Sequence, residues 1–106
     1  MIVENITNYK RGWFIGNFEP SILKTEGFEV GILNHKKGED WPAHYHAQAT
    51  EYNVLLEGSM KIGGHLINEG DIFVIHTYEI AEPEFLTDCR ILVVKTPSVI
   101  GDKFNV

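Results

Sequence analysis

The feature that most constrains the fold is a series of short apolar runs, each closed by a turn signal within a few residues. β-Branched and aromatic residues dominate these runs, and no stretch of ten or more residues has helical periodicity. Many short strands at close spacing predict an all-β sandwich or barrel. The predicted strands are residues 12–15, 28–33, 51–56, 60–62, 71–75 and 90–95.

Glycine and proline positions add detail at two places. Gly63 and Gly64 supply the positive φ angles of a two-residue turn, so residues 60–67 are predicted to form a tight hairpin. Pro20 suits the first position of a helix, which predicts a single helical turn over residues 20–24.

Length and composition predict one soluble domain spanning residues 1–106. Hydrophobic residues make up 43% of the chain, and a chain of this length buries roughly 65% of its unfolded surface. The formal charge of −6 makes nucleic acid and anionic membranes poor partners. No targeting signal or long apolar run is visible, so we expect a cytoplasmic protein. The single cysteine, Cys89, is interpreted as a buried apolar residue.

Two histidines and a glutamate within residues 38–58 indicate a ligand site. His44 and His46 are separated by one residue, so on a strand both side chains point to the same face. If the chain turns after His46, the carboxylate of Glu51 can return to the same point. Two imidazoles and a carboxylate form a facial set that non-haem iron, manganese, zinc and similar ions accept, with coordination positions left open.

The same stretch resembles the first motif of the cupin superfamily, which reads Gly, five residues, His-x-His, three or four residues, Glu, six residues, Gly. Five residues match this motif at every spacing: Gly38, His44, His46, Glu51 and Gly58. The resemblance implies an all-β double-stranded β-helix, a small jelly-roll barrel, with the motif side chains facing its interior. It covers about residues 37–95, which is most of the predicted core.

The second cupin motif is incomplete in this sequence. Counted from Gly70, the position that normally supplies the fourth metal ligand is Ala81, which cannot coordinate an ion. Strand alternation puts Glu79 on the same face as Ala81, so Glu79 is the favoured substitute for the fourth ligand. Gln48 and a water molecule are the alternative oxygen donors.

These residues are compatible with three functions. The first is a small cupin that holds one divalent transition metal (Fe, Mn, Zn or Ni) and binds or acts on a small molecule inside the barrel. The second is a metal-independent isomerase or epimerase of sugars or nucleotide-sugars, in which the histidine pair transfers protons near neutral pH. The third is a non-catalytic cupin that binds a small ligand. The catalytic candidates are His44, His46 and Tyr78, the last in the turn of the second motif.

The remaining polar candidates receive simpler interpretations. Asn53 alternates with Glu51 along a strand, so its side chain is predicted to face the interior, where a buried amide requires a hydrogen-bond partner. His76 stands at a strand end, and it is interpreted as a surface residue or a core histidine with its hydrogen bonds satisfied. His35 and His65 are interpreted as loop residues.

The residues near the two ends of the chain are predicted to contribute to dimer formation or to cover the barrel. The resemblance implies a homodimer, and the aromatic-rich residues 13–18 lie outside the motif region, so they are the predicted interface. Residues 96–106 contain Pro97, Gly101 and Asp102. They are predicted to form an irregular tail that lies on the barrel or reaches the partner subunit.

Overall fold

The computed structural model describes all 106 residues, which are arranged almost entirely as short β-strands. There is no α-helix, and two 3₁₀ turns, Ile6–Asn8 and Lys10–Gly12, precede the first strand. No helical segment has the length and apolar character that crossing a membrane requires. In chain order the strands are β1 (Trp13–Gly16), β2 (Leu23–Lys24), β3 (Glu29–His35), β4 (His44–Tyr45), β5 (Thr50–Glu57), β6 (Ser59–Ile62), β7 (His65–Asn68), β8 (Ile72–Ile75), β9 (Glu84–Phe85), β10 (Cys89–Thr96) and β11 (Phe104–Asn105).

Six strands form the larger sheet, in the order β2-β1-β3-β10-β5-β8. β1 and β2 pair in parallel, and the other neighbours pair antiparallel. Because side chains alternate along a strand, this sheet has one inward and one outward face. On β10, Ile91, Val93 and Lys95 share the inward face, whereas Leu92 and Val94 point outward.

A three-stranded sheet, β7-β6-β9, packs against the inward face of the larger sheet. The buried core residues are Leu55, Met60, Ile67, Phe85, Cys89, Ile91 and Val93. They come from β5 and β10 of the larger sheet and from all three strands of the smaller one, so this cluster joins the two sheets into a jelly roll. The predicted all-β jelly-roll fold is therefore confirmed, and Cys89 is a buried free thiol as predicted.

All six predicted strands are present, as β1, β3, β5, β6, β8 and β10. The predicted hairpin is also confirmed, because β6 and β7 pair antiparallel and only two residues separate them. Those residues, Gly63 and Gly64, have φ angles of 56° and 77°. Both angles are positive, as the two-residue hairpin turn requires, and glycine adopts them without a steric penalty.

The predicted helical turn over residues 20–24 is wrong. The backbone N–H of Ile22 donates to the carbonyl of Phe14, and the N–H of Thr25 donates to that of Gly16. Leu23–Lys24 therefore forms β2, parallel to β1. The backbone groups that a helical turn would have used are engaged with the neighbouring strand instead.

The loop assignment of His35 and His65 is also wrong. His65 begins β7 beside the hairpin turn, and His35 is the last residue of β3. His35 is buried because its ring stacks on Phe85, with the ring centroids 4.3 Å apart. Its Nδ1 lies 2.6 Å from a carboxylate oxygen of Glu39, which gives this buried imidazole a polar partner.

Residues 96–106 lie on the barrel of their own chain, which is one of the two predicted arrangements. Phe104–Asn105 forms β11 and pairs antiparallel with β4, and Ser98 and Asp102 are buried. The prediction of an irregular tail is therefore wrong for these two paired residues. This pairing brings the final segment of the chain next to the two histidines of the motif.

Candidate metal centre

The three candidate ligand side chains lie together inside the barrel. His44 belongs to β4, and His46 is the first residue after that strand. Glu51 is the second residue of β5. One ligand atom from each of the three residues lies within 4.8 Å of the others. Both histidines are buried, at 7% and 3% exposure. Surface acids and histidines often lie close together by chance, but a buried group of this kind needs charge or hydrogen-bond partners to be stable.

The turn between β4 and β5 is held by the carboxylate of Asp102. Its oxygens accept hydrogen bonds from the backbone N–H groups of Ala47, Gln48 and Ala49, at 2.8, 3.1 and 2.9 Å. Three consecutive donors therefore converge on one buried carboxylate from the C-terminal segment. This arrangement fixes the turn that returns Glu51 to the histidines.

Backbone carbonyls determine the protonation of both imidazoles. Nδ1 of His44 lies 3.1 Å from the carbonyl oxygen of Pro42, and Nδ1 of His46 contacts the carbonyl oxygen of Asp102. A carbonyl oxygen can only accept, so each Nδ1 carries the proton. Each Nε2 is then the nitrogen with a free lone pair, which is the usual arrangement of metal-binding histidines.

The donor atoms of His46 and Glu51 have the spacing of neighbouring metal ligands. Nε2 of His46 lies 3.1 Å from Oε2 of Glu51, but it is buried without a hydrogen-bond partner. Two ligands at right angles around an ion, each about 2.1 Å from it, are separated by about 3 Å. A cation between the two atoms would relieve the contact of two lone pairs, so these residues fit a divalent transition metal.

The electrostatic surroundings favour the metal-binding protonation states. Burial raises the pKa of Glu51, but a hydrogen bond from His46, which forms when its Nε2 is protonated, and the charge of Lys95 outweigh this effect and hold the pKa below its usual value. A bound metal ion would take the place of that proton. Burial lowers the pKa of His44, and the charge of Lys103 adds to the effect. At neutral pH the carboxylate is therefore ionised and the His44 imidazole is neutral, the forms that coordinate an ion.

No protein side chain occupies the fourth ligand position. Ala81 is buried beside His44, and the two residues exchange backbone hydrogen bonds of 3.0 and 2.7 Å. Glu79, the predicted substitute, is exposed, and its carboxylate accepts from the backbone N–H of His76 at 2.9 Å. The alternation argument fails because the chain turns at Tyr78, where φ is 67°. Gln48 is exposed and also lies outside the group.

Tyr78 lies on the outside of the barrel. Its backbone N–H donates to the carbonyl of His46 at 2.7 Å, but its side chain is directed away and the residue is 68% exposed. The ring lies against Tyr45, with centroids 6.2 Å apart. Tyr78 therefore supports the chain next to His46 and does not line the interior cavity.

A cavity of about 560 Å³ opens in front of the three ligand residues. Its apolar walls include Trp13, Trp41, Phe73, Ile75 and Val93. Asn53 lines it as well, so the predicted inward orientation of this residue is confirmed. The Asn53 side-chain amide donates to the carbonyl of Phe73 at 3.5 Å, so its hydrogen-bond partner is the backbone of β8. This volume is sufficient for a small organic molecule.

Three residues around the site were missed by sequence reasoning. Asp102 and Lys103 reach the histidines through the pairing of β11 with β4, and the contact between Asp102 and His46 spans 56 positions. No local pattern indicates such a pairing. Lys95 did carry a signal, because it continues the inward alternation of Ile91 and Val93 along β10.

Comparisons with known proteins identify the fold. No protein-family model matches the sequence, and no curated protein matches it. Among solved structures, DMSP lyase DddQ from Ruegeria pomeroyi is similar over 87% of this chain, with 16% identity and a TM-score of 0.71. The match covers 48% of that protein, so this chain spans about half its length.

Two further structures match a larger share of their own length. An uncharacterized protein with a double-stranded β-helix domain from Klebsiella pneumoniae has 14% identity and a TM-score of 0.71, over 98% of this chain and 90% of that one. An RmlC-like cupin from Desulfovibrio desulfuricans has 24% identity and a TM-score of 0.62, over 74% and 79%. The chain therefore has the double-stranded β-helix fold of the cupins, as the motif resemblance predicted. At these identities the likeness shows the fold alone.

Proposed function

We propose that this chain is a cupin that holds one divalent transition metal and binds or acts on a small molecule in the adjoining cavity. The ligands are His44, His46 and Glu51. The observation that carries the proposal is the buried Nε2 of His46, which has a free lone pair, a carboxylate oxygen 3.1 Å away and no hydrogen-bond partner. Buried polar atoms are nearly always satisfied, so the position of this atom supports a bound cation or ligand as its partner.

The three ligands and the residues around them limit which metal ions can bind and which reactions they can support. Imidazole and carboxylate donors suit Fe, Mn, Zn or Ni, and the three protein ligands leave coordination positions for a substrate oxygen or water. A bound ion of this kind supplies Lewis-acid chemistry or an open position for an oxygen ligand. The chain itself orients both imidazoles through Pro42 and Asp102, and it keeps the Glu51 carboxylate ionised.

Elemental analysis combined with zinc titration tests this proposal. The wild-type protein, purified without chelators, is compared with His46→Ala and with the control His65→Ala, which removes an exposed histidine of β7 that lies outside the candidate ligand group and the cavity wall. We expect one equivalent of metal in the wild type and in the control, and less than about a tenth of an equivalent in His46→Ala. A wild-type protein that takes up no zinc, manganese, iron or nickel on titration contradicts the proposal.

A metal-independent proton transfer is the second candidate, and the lowered pKa of His44 favours it. A buried imidazole that is neutral at pH 7 can accept a proton from a bound substrate. In this case His44 and His46 would act on a sugar or a similar polyol. The two candidates differ in one measurement: with metal-independent transfer, turnover of such a substrate persists in excess chelator, whereas the metal centre loses it.

We also propose that the protein is a cytoplasmic homodimer that pairs through the outward face of the larger sheet. Six apolar residues from three adjacent strands form this face: Tyr52, Val54, Ile72, Val74, Leu92 and Val94. Ile72 is 72% exposed and Tyr52 is 47% exposed. Each copy carries a charge of −6, so two copies meet most favourably on an uncharged surface.

Light scattering on size-exclusion fractions tests the dimer. Tyr52→Lys should shift the protein to a monomer, whereas Leu66→Lys, which changes an exposed leucine on β7, should leave the dimer intact. The sequence instead predicts residues 13–18 as the dimer interface. Trp13 lines the interior cavity and Phe18 packs against Gly16, so much of this aromatic surface is engaged within its own chain. A dimer that survives Tyr52→Lys contradicts the sheet-face interface.

A further inference from the structure

The cavity has the opposite charge balance to the chain as a whole. Acidic residues outnumber basic residues by 15 to 9 in the sequence. The residues that line the cavity instead include four cationic ones, Arg11, Arg90, Lys95 and Lys103, and two acidic ones, Glu39 and Glu51. Glu39 pairs with His35 at 2.6 Å, and Glu51 lies 3.1 Å from Nε2 of His46 at the candidate metal position.

Lys103 stands at the edge of the candidate metal centre. Lys103 directly precedes β11, whose Phe104 pairs with Tyr45, the residue before His46. Its ammonium nitrogen is 4.3 Å from the centroid of the Trp41 ring, and that ring lies edge-on to His44 with centroids 6.4 Å apart. The indole face therefore holds this charge beside the histidines while leaving its N–H donors free.

Lys95, on β10, is held in a similar way. Its ammonium nitrogen is 5.0 Å from the centroid of the Trp13 ring. On the inward face of the sheet it stands between Glu29 and Glu51, which are its cross-strand partners on β3 and β5. Neither carboxylate comes within 4.0 Å of its nitrogen. Part of its charge is balanced by these two acids, but its donors make no hydrogen bond within the chain.

Three cations therefore line the cavity without a partner in the chain: Lys95 is half-buried, and Arg11 and Lys103 are exposed. No hydrogen bond or ion pair within the chain involves the side chains of Lys95, Lys103 or Arg11. Burial lowers the pKa of Lys103, and the charges of Lys95 and Arg11 lower it further. The three charges therefore repel one another, and an anion bound among them would relieve that repulsion.

We propose that the ligand of this cavity is a small organic anion, whose carboxylate or phosphate group binds Lys103 and Arg11 with support from Lys95. This inference rests on the proposed function, because the rest of the ligand would extend towards His44, His46 and Glu51. An oxyanion matches the geometry, since ammonium and guanidinium donors form their strongest hydrogen bonds with charged oxygen atoms. The apolar lining residues of the cavity, Trp13 and Trp41 among them, accommodate a short carbon chain.

Calorimetric titration with matched probes tests the proposal. Malonate and glycerol phosphate carry the predicted anionic groups, and malonamide and glycerol are their uncharged counterparts. Each probe is titrated into metal-free and zinc-loaded protein. We expect at least one anion to bind about tenfold or more tightly than its neutral counterpart, and its affinity to fall as the salt concentration rises. Tighter binding of malonate indicates that the ligand carries a carboxylate. Tighter binding of glycerol phosphate indicates that it carries a phosphate.

Two variants connect the result to the structure. Lys103→Gln should lower the affinity for the anion about tenfold or more, whereas Lys61→Gln, which changes an exposed lysine on β6, should leave it unchanged. Both variants should still take up one equivalent of zinc. The inference is overturned if neutral and anionic probes bind with equal affinity, or if neither anion binds at millimolar concentration. It is also overturned if Lys103→Gln and Lys61→Gln change the affinity for the anion equally.

The same titrations separate this inference from the proposed metal site. A protein that takes up no zinc but binds the anion through Lys103 refutes the metal centre and leaves the anion site in place. A protein that takes up zinc through His46 but binds neutral and anionic probes equally well refutes the anion site alone.

Discussion

Replacement of Asp102 by alanine should strongly destabilise the protein, although the residue lies in a short C-terminal segment. The Asp102 carboxylate accepts hydrogen bonds from three consecutive backbone N–H groups, those of Ala47, Gln48 and Ala49. Ala49 is 2% exposed, so its N–H group would be left buried without a partner. The other two groups lie in a turn at the surface, where water can replace the lost acceptor.

The expected loss follows from the burial of these donors. Hydrogen bonds to charged groups contribute about 1.5–3 kcal/mol each when they are buried, and less when water can substitute. One buried bond and two replaceable bonds give a loss of about 3 kcal/mol for Asp102→Ala. In a domain of this length, that corresponds to a decrease in Tm of roughly 12 °C. Asp102→Asn keeps one acceptor oxygen and should lose about half as much.

Urea denaturation and thermal melting measure this loss, with Asp88→Ala as the control. Asp88 is an exposed aspartate that accepts one backbone hydrogen bond, from Lys37 at 2.9 Å, and lies 3.7 Å from Lys36. Removing it should cost less than about 1 kcal/mol. Zinc titration at a temperature where Asp102→Ala is folded provides a second measurement. The affinity should fall about tenfold, because the turn that supports His46 is loosened.

A free energy of unfolding for Asp102→Ala within about 1 kcal/mol of the value for Asp88→Ala would refute the reasoning. In that case water, or a movement of the turn, satisfies the three N–H groups without the carboxylate. Normal stability with reduced zinc affinity would assign Asp102 a role at His46 alone.

Three further predictions concern the ligand position, the core and the response to pH. Ala81→His places an imidazole beside His44 and should raise zinc affinity by about tenfold, or about 1.4 kcal/mol, in a calorimetric titration. Leu55→Ala removes a fully buried core side chain and should lower the free energy of unfolding by about 2–5 kcal/mol in urea, whereas the exposed Leu66→Ala should change it by less than about 0.5 kcal/mol. The hydrogen bond with His35 lowers the pKa of Glu39, so the pair stabilises the fold above the ordinary glutamate pKa and loses this contribution as the pH falls through the lowered pKa. Thermal melts across acid pH should therefore show a steeper decrease for the wild type than for Glu39→Gln.

Features encoded by local spacing could be predicted from the sequence. His44 and His46 lie in alternation and Glu51 follows after one short turn, so the grouping of the three side chains depends on only eight consecutive residues. The hairpin at Gly63 and Gly64 depends on two positive φ angles that glycine alone adopts easily. Strand alternation likewise placed Asn53 in the interior.

Features that depend on distant pairing could not be predicted. Asp102 and Lys103 reach the histidines only because β11 pairs with β4, and no periodicity in the sequence relates these two segments. Glu79 was placed with Ala81 by extending strand alternation through residues that form a turn at Tyr78. The helical turn at Pro20 was a local preference that pairing with β1 overrode.

The methyl group of Ala81 has a consequence for how binding events are coupled. It leaves the space beside His44 open to the cavity, so a ligand that enters can donate an oxygen at the position where the second cupin motif has its metal-binding side chain. The ligand would then complete the coordination sphere of the ion. By thermodynamic linkage, the ion increases affinity for the ligand by the same factor by which the ligand increases affinity for the ion. Metal affinity measured without ligand is therefore expected to be the lower limit of the affinity in its presence.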